Sequence, residues 1–204
     1  MEKTVQIAVA GLTLEGRFEA GAGAGWVVIT HPHPLYGGSL DNNVVWTAKQ
    51  AFGAAGWRTL RLNLRGVGGS TGAYGQGLAE VADLFAAVDF LQHHSLPPYH
   101  VAGYSFGAFV AAQAMVQGLA ADGFWCLAPP IAFMDLSCLP QTPRLQAIIV
   151  GDQDDLCPLA RLRDMFTGSP RPPEIRVVEG TDYFFAGREK KLFEVLVELI
   201  RSLQ

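Results

Sequence analysis

Short apolar runs alternate along this chain with segments of helical spacing, and this alternation restricts the fold more than any other feature. Residues 26–30 (WVVIT) and 145–151 (LQAIIVG) are typical of strands that are buried on both faces. Between such runs, apolar residues recur every three or four positions, as in residues 78–91 and 192–203. The pattern predicts an α/β fold in which a mostly parallel sheet is covered by helices on both faces.

The beginning of the chain follows a different pattern. Apolar and polar residues alternate with a period of two on either side of Gly11, which predicts an antiparallel hairpin. With the hairpin, we count eight strands, and five helices alternate with the later ones. The 204 residues, half of them hydrophobic, are enough for one domain over residues 1–204.

Charge and cysteine content argue against several classes of protein. The net charge is −4, from 15 basic and 19 acidic residues, and the basic residues do not cluster, so we expect no nucleic-acid partner. No apolar run approaches the roughly 18 residues of a membrane span, and the first residues lack the pattern of a signal peptide. Cys126, Cys138 and Cys157 form an odd, scattered set, which favours reduced thiols and a cytoplasmic location.

The stretch GYSFG, residues 103–107, places Ser105 between two glycines at the end of an apolar run. G-x-S-x-G between a strand and a helix is typical of a nucleophilic serine on a sharp turn, where bulky neighbours would clash. The backbone N–H of Phe106 follows the serine and can donate to an oxyanion. The alternative is a glycine-rich turn with an incidental serine. The strand before it and the helix after it favour the nucleophile.

A second candidate group lies in GDQDDLCP, residues 151–158, which follows the seventh predicted strand. An acid at this place can orient a histidine and stabilise its cation. Asp152, Asp154 and Asp155 are all candidates, and capping of the next helix is an alternative role for one of them.

The loop after the third strand reads HPHPLYGG, residues 31–38, and is expected to supply a second oxyanion donor. Because prolines have no N–H, the donor must come from His33 or Leu35. His31 and His33 without an acid at ligand spacing make a poor zinc site, so we expect no metal. His93, His94 and His100 are not expected to reach Ser105.

The glycine-rich residues 65–72 (RGVGGSTG) superficially resemble a phosphate-binding loop. They lack the lysine of such a loop, and no helix begins directly after them. We interpret them as a flexible loop at the mouth of the site.

Together, HPHPLYGGSLDNNVV, LNLRGVGGSTG and GYSFGA resemble the α/β-hydrolase superfamily, and within it a small cap-free bacterial subgroup of predicted hydrolases. The resemblance runs nearly end to end and implies the α/β-hydrolase fold without a cap domain. It also implies that the acid is Asp154, since G-x-x-D-x-x-x-P matches Gly151, Asp154 and Pro158. The family's histidine stands in a stretch like G-x-D-H-F-F, and this chain reads GTDYFF, with Tyr183 at that position.

Tyrosine, with a pKa near 10, is a poor base at neutral pH. Three explanations stay open: a weakened or inactive hydrolase, a substitute base supplied by His31 or His33, or an engineered replacement. The first functional hypothesis is a serine hydrolase of small carboxylic esters or related acyl compounds, with an impaired triad and no cofactor. The second is a non-catalytic ligand-binding protein. In it, an apolar cleft would be lined by aromatic residues, namely Tyr36, Phe106, Phe184 and Phe185. Substrate identity, oligomeric state and physiological role stay open.

Overall fold

The fold is built on one eight-stranded sheet, seen here in a computed structural model that describes residues 2–19, 23, 25–93 and 97–203. The strand order is β1-β2-β4-β3-β5-β6-β7-β8. The strands are β1 (Lys3–Val9), β2 (Leu12–Glu19), β3 (Trp26–Thr30), β4 (Arg58–Leu62), β5 (Tyr99–Tyr104), β6 (Gly123–Leu127), β7 (Leu145–Gly151) and β8 (Glu174–Val178). The helices are α1 (Asn43–Ala54), α2 (Glu80–Gln92), α3 (Phe106–Val116), α4 (Leu159–Met165) and α5 (Glu189–Ser202).

Strand pairing confirms the predicted hairpin and the mostly parallel sheet. Strands β1 and β2 pair antiparallel around a turn at Ala10 and Gly11, both of which have positive φ. Strand β2 is also antiparallel to β4, and each later pairing is parallel. The predicted eight strands and five helices are therefore all present in the described residues.

Helices cover both faces of the sheet, and each face has its own apolar core. One core takes its helical residues from α2, α3 and α4, and the other takes them from α1 and α5. Helix α5 shows the reason most clearly. One stripe of it is buried, namely Leu192, Leu196, Leu199 and Ile200, while its charged residues face solvent. In the described part of the chain, no helix is long and apolar enough to cross a membrane.

The glycine-rich residues 65–72 are hydrogen-bonded to the hairpin, although the sequence predicted a flexible loop at the mouth of the site. The N–H of Gly69 donates to the Glu15 carboxylate at 2.8 Å, and the N–H of Thr71 donates to the Thr13 carbonyl at 2.8 Å. These bonds do not fit a flexible loop. The segment packs against the hairpin, because glycines allow its backbone to approach the Glu15 carboxylate closely.

Parallel strands bring the loops after β3, β5, β7 and β8 to the same edge of the sheet, where ligands of such sheets bind. The last two of these loops are packed directly against each other. A side chain at Gly151 would overlap the carbonyl oxygen of Thr181, and the N–H of Gln153 donates to that same oxygen at 3.0 Å. The groups after β7 are thereby fixed relative to the groups after β8.

Candidate active site

Ser105 lies on a sharp turn between β5 and α3, with φ 57° and ψ −116°. A positive φ is unusual for a residue with a side chain, and such strain is concentrated at functional sites. The two flanking glycines are needed for packing. A Cβ on Gly103 would lie 2.5 Å from the Gly107 backbone, and a Cβ on Gly107 would lie 2.5 Å from Thr30 Oγ1. The turn thus presents Ser105 at the N-terminus of α3, whose first N–H groups have no intrahelical partner.

The side chain that meets Ser105 is Tyr183, from the loop after β8. Its phenol donates a hydrogen bond to Ser105 Oγ, and its backbone carbonyl accepts one from the Tyr104 hydroxyl at 3.0 Å. Burial raises the pKa of Tyr183 above its usual value near 10, and the nearby Asp154 charge raises it further. The phenol is therefore protonated at neutral pH, and it acts on Ser105 as a hydrogen-bond donor.

Asp154 is a buried carboxylate with one satisfied oxygen and one unsatisfied oxygen. The residue is only 4% exposed, and its Oδ1 accepts the N–H groups of Leu156 and Cys157, each at 2.9 Å. Oδ2 is buried and has no hydrogen-bond partner among the described residues. Burial raises the pKa of Asp154 to about 6, although the two N–H groups partly oppose this shift.

The other two acidic candidates have different surroundings. Asp152 Oδ1 accepts the N–H groups of Gly180 and Thr181 at 2.7 and 3.1 Å, so it stabilises the loop after β8. Asp155 is exposed to solvent. Of the three carboxylates, only Asp154 is buried close enough to Tyr183 to raise the pKa of its phenol.

His31 does not fit the role of substitute base that the sequence left open for it. The residue is fully buried, its Nδ1 lies 2.7 Å from the Pro32 carbonyl oxygen, and its Nε2 accepts the Leu64 N–H at 3.1 Å. Both ring nitrogens are therefore occupied by backbone groups. Burial also lowers the pKa of His31 to about 4, which makes the ring a weak base.

His33, the other suggested substitute, is likewise engaged at both nitrogens. Its Nδ1 accepts the Leu35 N–H at 3.3 Å, which places the proton of the neutral ring on Nε2, 3.0 Å from the Tyr74 hydroxyl. Its ring packs 5.0 Å from that of Phe106. Since the Leu35 N–H is already donated to His33, Leu35 fits the role of second oxyanion donor less well than His33. The backbone N–H of His33 has no partner among the described residues.

His93 and His100 are engaged away from Ser105, as expected. His93 follows α2, and its Nδ1 lies 2.8 Å from the Asp89 carbonyl. His100, in β5, accepts the indole N–H of Trp125 at 3.0 Å. His94 lies outside the described residues. Within those residues, no group of three or more His, Cys, Asp and Glu side chains is placed to hold a metal ion.

A cavity of about 410 Å³ opens beside Tyr183. It is lined by Pro32, His33, Tyr36, Gly37, Gly38, Asn42, Tyr104, Leu156, Tyr183 and Phe184. Apart from His33, no lining residue has an acidic or basic side chain, and burial lowers the pKa of His33. Of the four aromatic residues expected there, Tyr36 and Phe184 line the cavity, and both are largely exposed. Phe106 and Phe185 are instead fully buried in the core. The cavity therefore suits an uncharged ligand.

Comparison with known proteins agrees with the α/β fold described above. Residues 32–133 match the family described as alpha/beta hydrolase fold. An alpha-beta serine hydrolase homologue from Coxiella burnetii superposes with a TM-score of 0.87 at 34% identity, over 96% of each chain. The chain belongs to the alpha/beta hydrolase fold family.

Two further relatives of this alpha/beta hydrolase chain are informative. A protein from Xanthomonas campestris, described as an a/b serine hydrolase without lid, is 25% identical with a TM-score of 0.88, over 99% of this chain and 94% of its own. An uncharacterized protein from Rickettsia prowazekii (strain Madrid E) is 29% identical over 203 residues, covering 94% of this chain and 85% of its own. In this chain, residues 128–144 between β6 and β7 contain only a three-residue 3₁₀ helix, Leu139–Gln141, and no cap domain.

Sequence reasoning missed two residues of this alpha/beta hydrolase site. Tyr104 supports the backbone of Tyr183, and Tyr74 holds the ring of His33. Alternation along β5 places Tyr104 on the opposite face of the sheet from Gly103 and Ser105. Nothing in the sequence shows which carbonyl its hydroxyl reaches. Tyr74 follows the glycine-rich segment after β4. Its position in a loop at the carboxyl ends of the strands was the only sequence feature that could have indicated it.

Proposed function

We propose that this chain is a serine hydrolase scaffold for carboxylic esters or related acyl compounds, with a triad impaired by Tyr183. In this proposal Ser105 is the nucleophile and Asp154 is the acid that would orient a histidine. Tyr183 occupies the position of that histidine. The backbone N–H groups of Phe106 and His33 are the oxyanion donors, and the substrate is a small molecule.

The unpartnered Oδ2 of Asp154 supports this proposal more than any other observation. Burying a carboxylate oxygen without a hydrogen bond is unfavourable, so such groups are rare and call for an explanation. An imidazole between Asp154 and Ser105 would donate one N–H to the carboxylate and accept the serine proton at its other nitrogen. A tyrosine has a single O–H, and Tyr183 donates it to Ser105. The carboxylate thus keeps the environment of a triad acid while its partner is missing.

The proton of Ser105 explains why the chain as it stands should be slow. Attack of Oγ on an acyl carbon forms a C–O bond and requires a base to accept the hydroxyl proton. The histidines of the neighbouring loop hold other partners at both ring nitrogens. Tyr183 can accept a proton only as phenolate, and burial raises the pKa of its phenol above the usual value near 10. The oxyanion donors alone give the residual rate.

The cavity argues for neutral acyl groups. Its walls combine exposed aromatic rings of Tyr36 and Phe184 with glycines, and no carboxylate, lysine or arginine lines it. A charged acyl group would lose its hydration there without gaining an ion pair. Because residues 128–144 add no cap, the site stays open, which suits short substrates of varied shape.

The chain as it stands should hydrolyse p-nitrophenyl acetate and butyrate only slightly faster than its Ser105→Ala variant at pH 7. The difference between the two should grow continuously up to pH 10 without levelling. Burial raises the pKa of Tyr183 above its usual value near 10, so its phenolate fraction still increases with pH over this whole range. Initial rates at pH 6–10.5, with the rate of the alanine variant subtracted, measure this. A Ser105-dependent rate that is already high and level at pH 7 would show that another base is present.

A second function, non-catalytic ligand binding, is favoured by the hydrogen bond that Tyr183 donates to Ser105 beside an open cavity. A neutral ligand of this cavity should raise the Tm while ester turnover stays at background. Replacing Phe184 by alanine should remove the shift, because its ring lies at the mouth. If a varied panel of neutral esters and acids leaves the Tm unchanged, the binding function is wrong.

A further inference from the structure

His31 has an arrangement of hydrogen bonds that the proposed chemistry does not use. The residue directly follows β3 and is fully buried. A backbone N–H can only donate, so Nε2, which faces the Leu64 N–H at 3.1 Å, must be unprotonated. The ring proton of the neutral histidine is therefore on Nδ1, which donates to the Pro32 carbonyl at 2.7 Å.

This bond fixes the direction of the next peptide group. In a trans peptide, the C=O and the N–H point in opposite directions. Holding the Pro32 oxygen against the His31 ring therefore turns the His33 N–H away from that ring. The same oxygen packs against Gly38, where a Cβ would overlap it. The carbonyl is thus held from two sides.

The resulting position of the His33 N–H matches what an oxyanion donor needs. It has no partner among the described residues, and its residue lines the cavity together with Pro32, Tyr104 and Tyr183. The ring of His33 packs on Phe106, the residue that carries the other proposed donor. Pro32 and Pro34 have no N–H, and the Leu35 N–H is taken by the His33 ring. His33 is therefore the donor that this loop offers.

We propose that His31 is a positioning residue for the oxyanion site: its Nδ1–H holds the Pro32–His33 peptide so that the His33 N–H faces the acyl oxygen. This proposal rests on the proposed function. His31 does not touch substrate and moves no proton. It acts through the peptide that it holds, so its loss should lower kcat and leave KM nearly unchanged.

Two substitutions separate the ring nitrogens of His31. In His31→Asn, the amide nitrogen lies near the place of Nδ1 and can still donate to Pro32, while the Leu64 N–H loses its acceptor. In His31→Gln, the amide oxygen lies near the place of Nε2 and can accept from Leu64, while the donor to Pro32 is lost. Each variant loses one buried hydrogen bond, so their stabilities should fall by similar amounts. A merely structural role would make their kinetics alike.

Both variants are made in the Tyr183→His background, with His100→Gln as a control for loss of a different buried histidine, and kcat and KM are measured for p-nitrophenyl butyrate. We expect His31→Gln to lower kcat about 10- to 100-fold with KM within about twofold, since losing one oxyanion donor costs about 10²–10³. His31→Asn should keep kcat within a few-fold, and His100→Gln should not change it. Equal kcat for the Asn and Gln variants would overturn the proposal.

Crystal structures of the same variants keep the test independent of turnover. The Pro32 carbonyl should stay turned toward residue 31 in the Asn variant and turn away in the Gln variant. An unchanged peptide in both would overturn the proposal even if the rates differ. If the Tyr183→His background itself has no activity, the proposed function fails, and the peptide orientation still decides whether His31 holds it.

Discussion

Replacing Tyr183 by histidine raises hydrolysis of p-nitrophenyl esters at pH 8 by about 10³-fold or more, because triad members contribute about 10⁴–10⁶ in turnover. The imidazole would take the place of the phenol that now caps Ser105. Its Nδ1–H would satisfy the free Oδ2 of Asp154, and its Nε2 would accept the serine proton. Steady-state kinetics of the variant and of the chain as it stands measure the gain.

Two controls separate this explanation from others. Ser105→Ala in the same background should remove the gained activity, because the acyl group then has no nucleophile. Tyr183→Phe removes the hydroxyl that caps Ser105 but adds no base, so its rate should stay near that of the parent. If the Phe variant were as active as the His variant, the low rate of the parent would be due to the hydrogen bond from Tyr183 to Ser105, and not to the missing base.

Asp154→Asn should stabilise the chain as it stands and should lower the turnover of the Tyr183→His variant. In the chain as it stands, the folded pKa of Asp154 is about 6, above its ordinary value of 3.8. The folded state therefore binds the proton more tightly than the unfolded state. The stability that this group contributes is fully present below about pH 4 and is lost as the pH rises through 6.

Removing this charge should therefore stabilise the chain at pH 8. A shift of two pKa units corresponds to an order of 2 kcal/mol in the free energy of unfolding, or about 4–8 °C in Tm for a chain of this size. The difference should close near pH 4. Thermal unfolding at both pH values measures it, and Asp155→Asn, at an exposed position, should leave the Tm unchanged at either pH.

In the Tyr183→His background the same substitution should be harmful. The imidazole N–H would then satisfy the carboxylate, so the stabilisation should shrink. Loss of the acid should remove most of the turnover that the histidine adds. If Asp154→Asn lowers the Tm of the parent at pH 8, its carboxylate is not the unfavourable group that this account requires. If it leaves the activity of the His background unchanged, Asp154 is not the triad acid.

The fold followed from local signals because each element is specified by its own residues. The apolar stripe of α5 can be buried only as a helix against the sheet, and the apolar run of β3 only as a central strand. The glycines around Ser105 permit the tight turn between β5 and α3. Only the family resemblance ranked Asp154 above its neighbours. The structure separates the three acids by burial, which depends on how the loops after β7 and β8 pack.

The histidine roles could not be predicted in the same way. Two histidines in HPHP look equivalent in sequence, yet His31 is fully buried between two backbone groups and His33 lies at the cavity. Each ring has one hydrogen bond to a residue that is distant in the chain, His31 to Leu64 and His33 to Tyr74. The interpretation of residues 65–72 as a flexible loop failed for a related reason, because Glu15 and Thr13 hold that segment from the hairpin.

We propose that Ser105 is a nucleophile held back by the lack of a base at position 183. A fluorophosphonate probe tests this claim directly, because its reaction with serine does not depend on the choice of ester. Intact mass and peptide mapping follow labelling of the parent and of Tyr183→His at pH 8. We predict labelling at Ser105 in both, at least about 100-fold faster in the variant. Equal rates, or labelling away from Ser105, would contradict the claim.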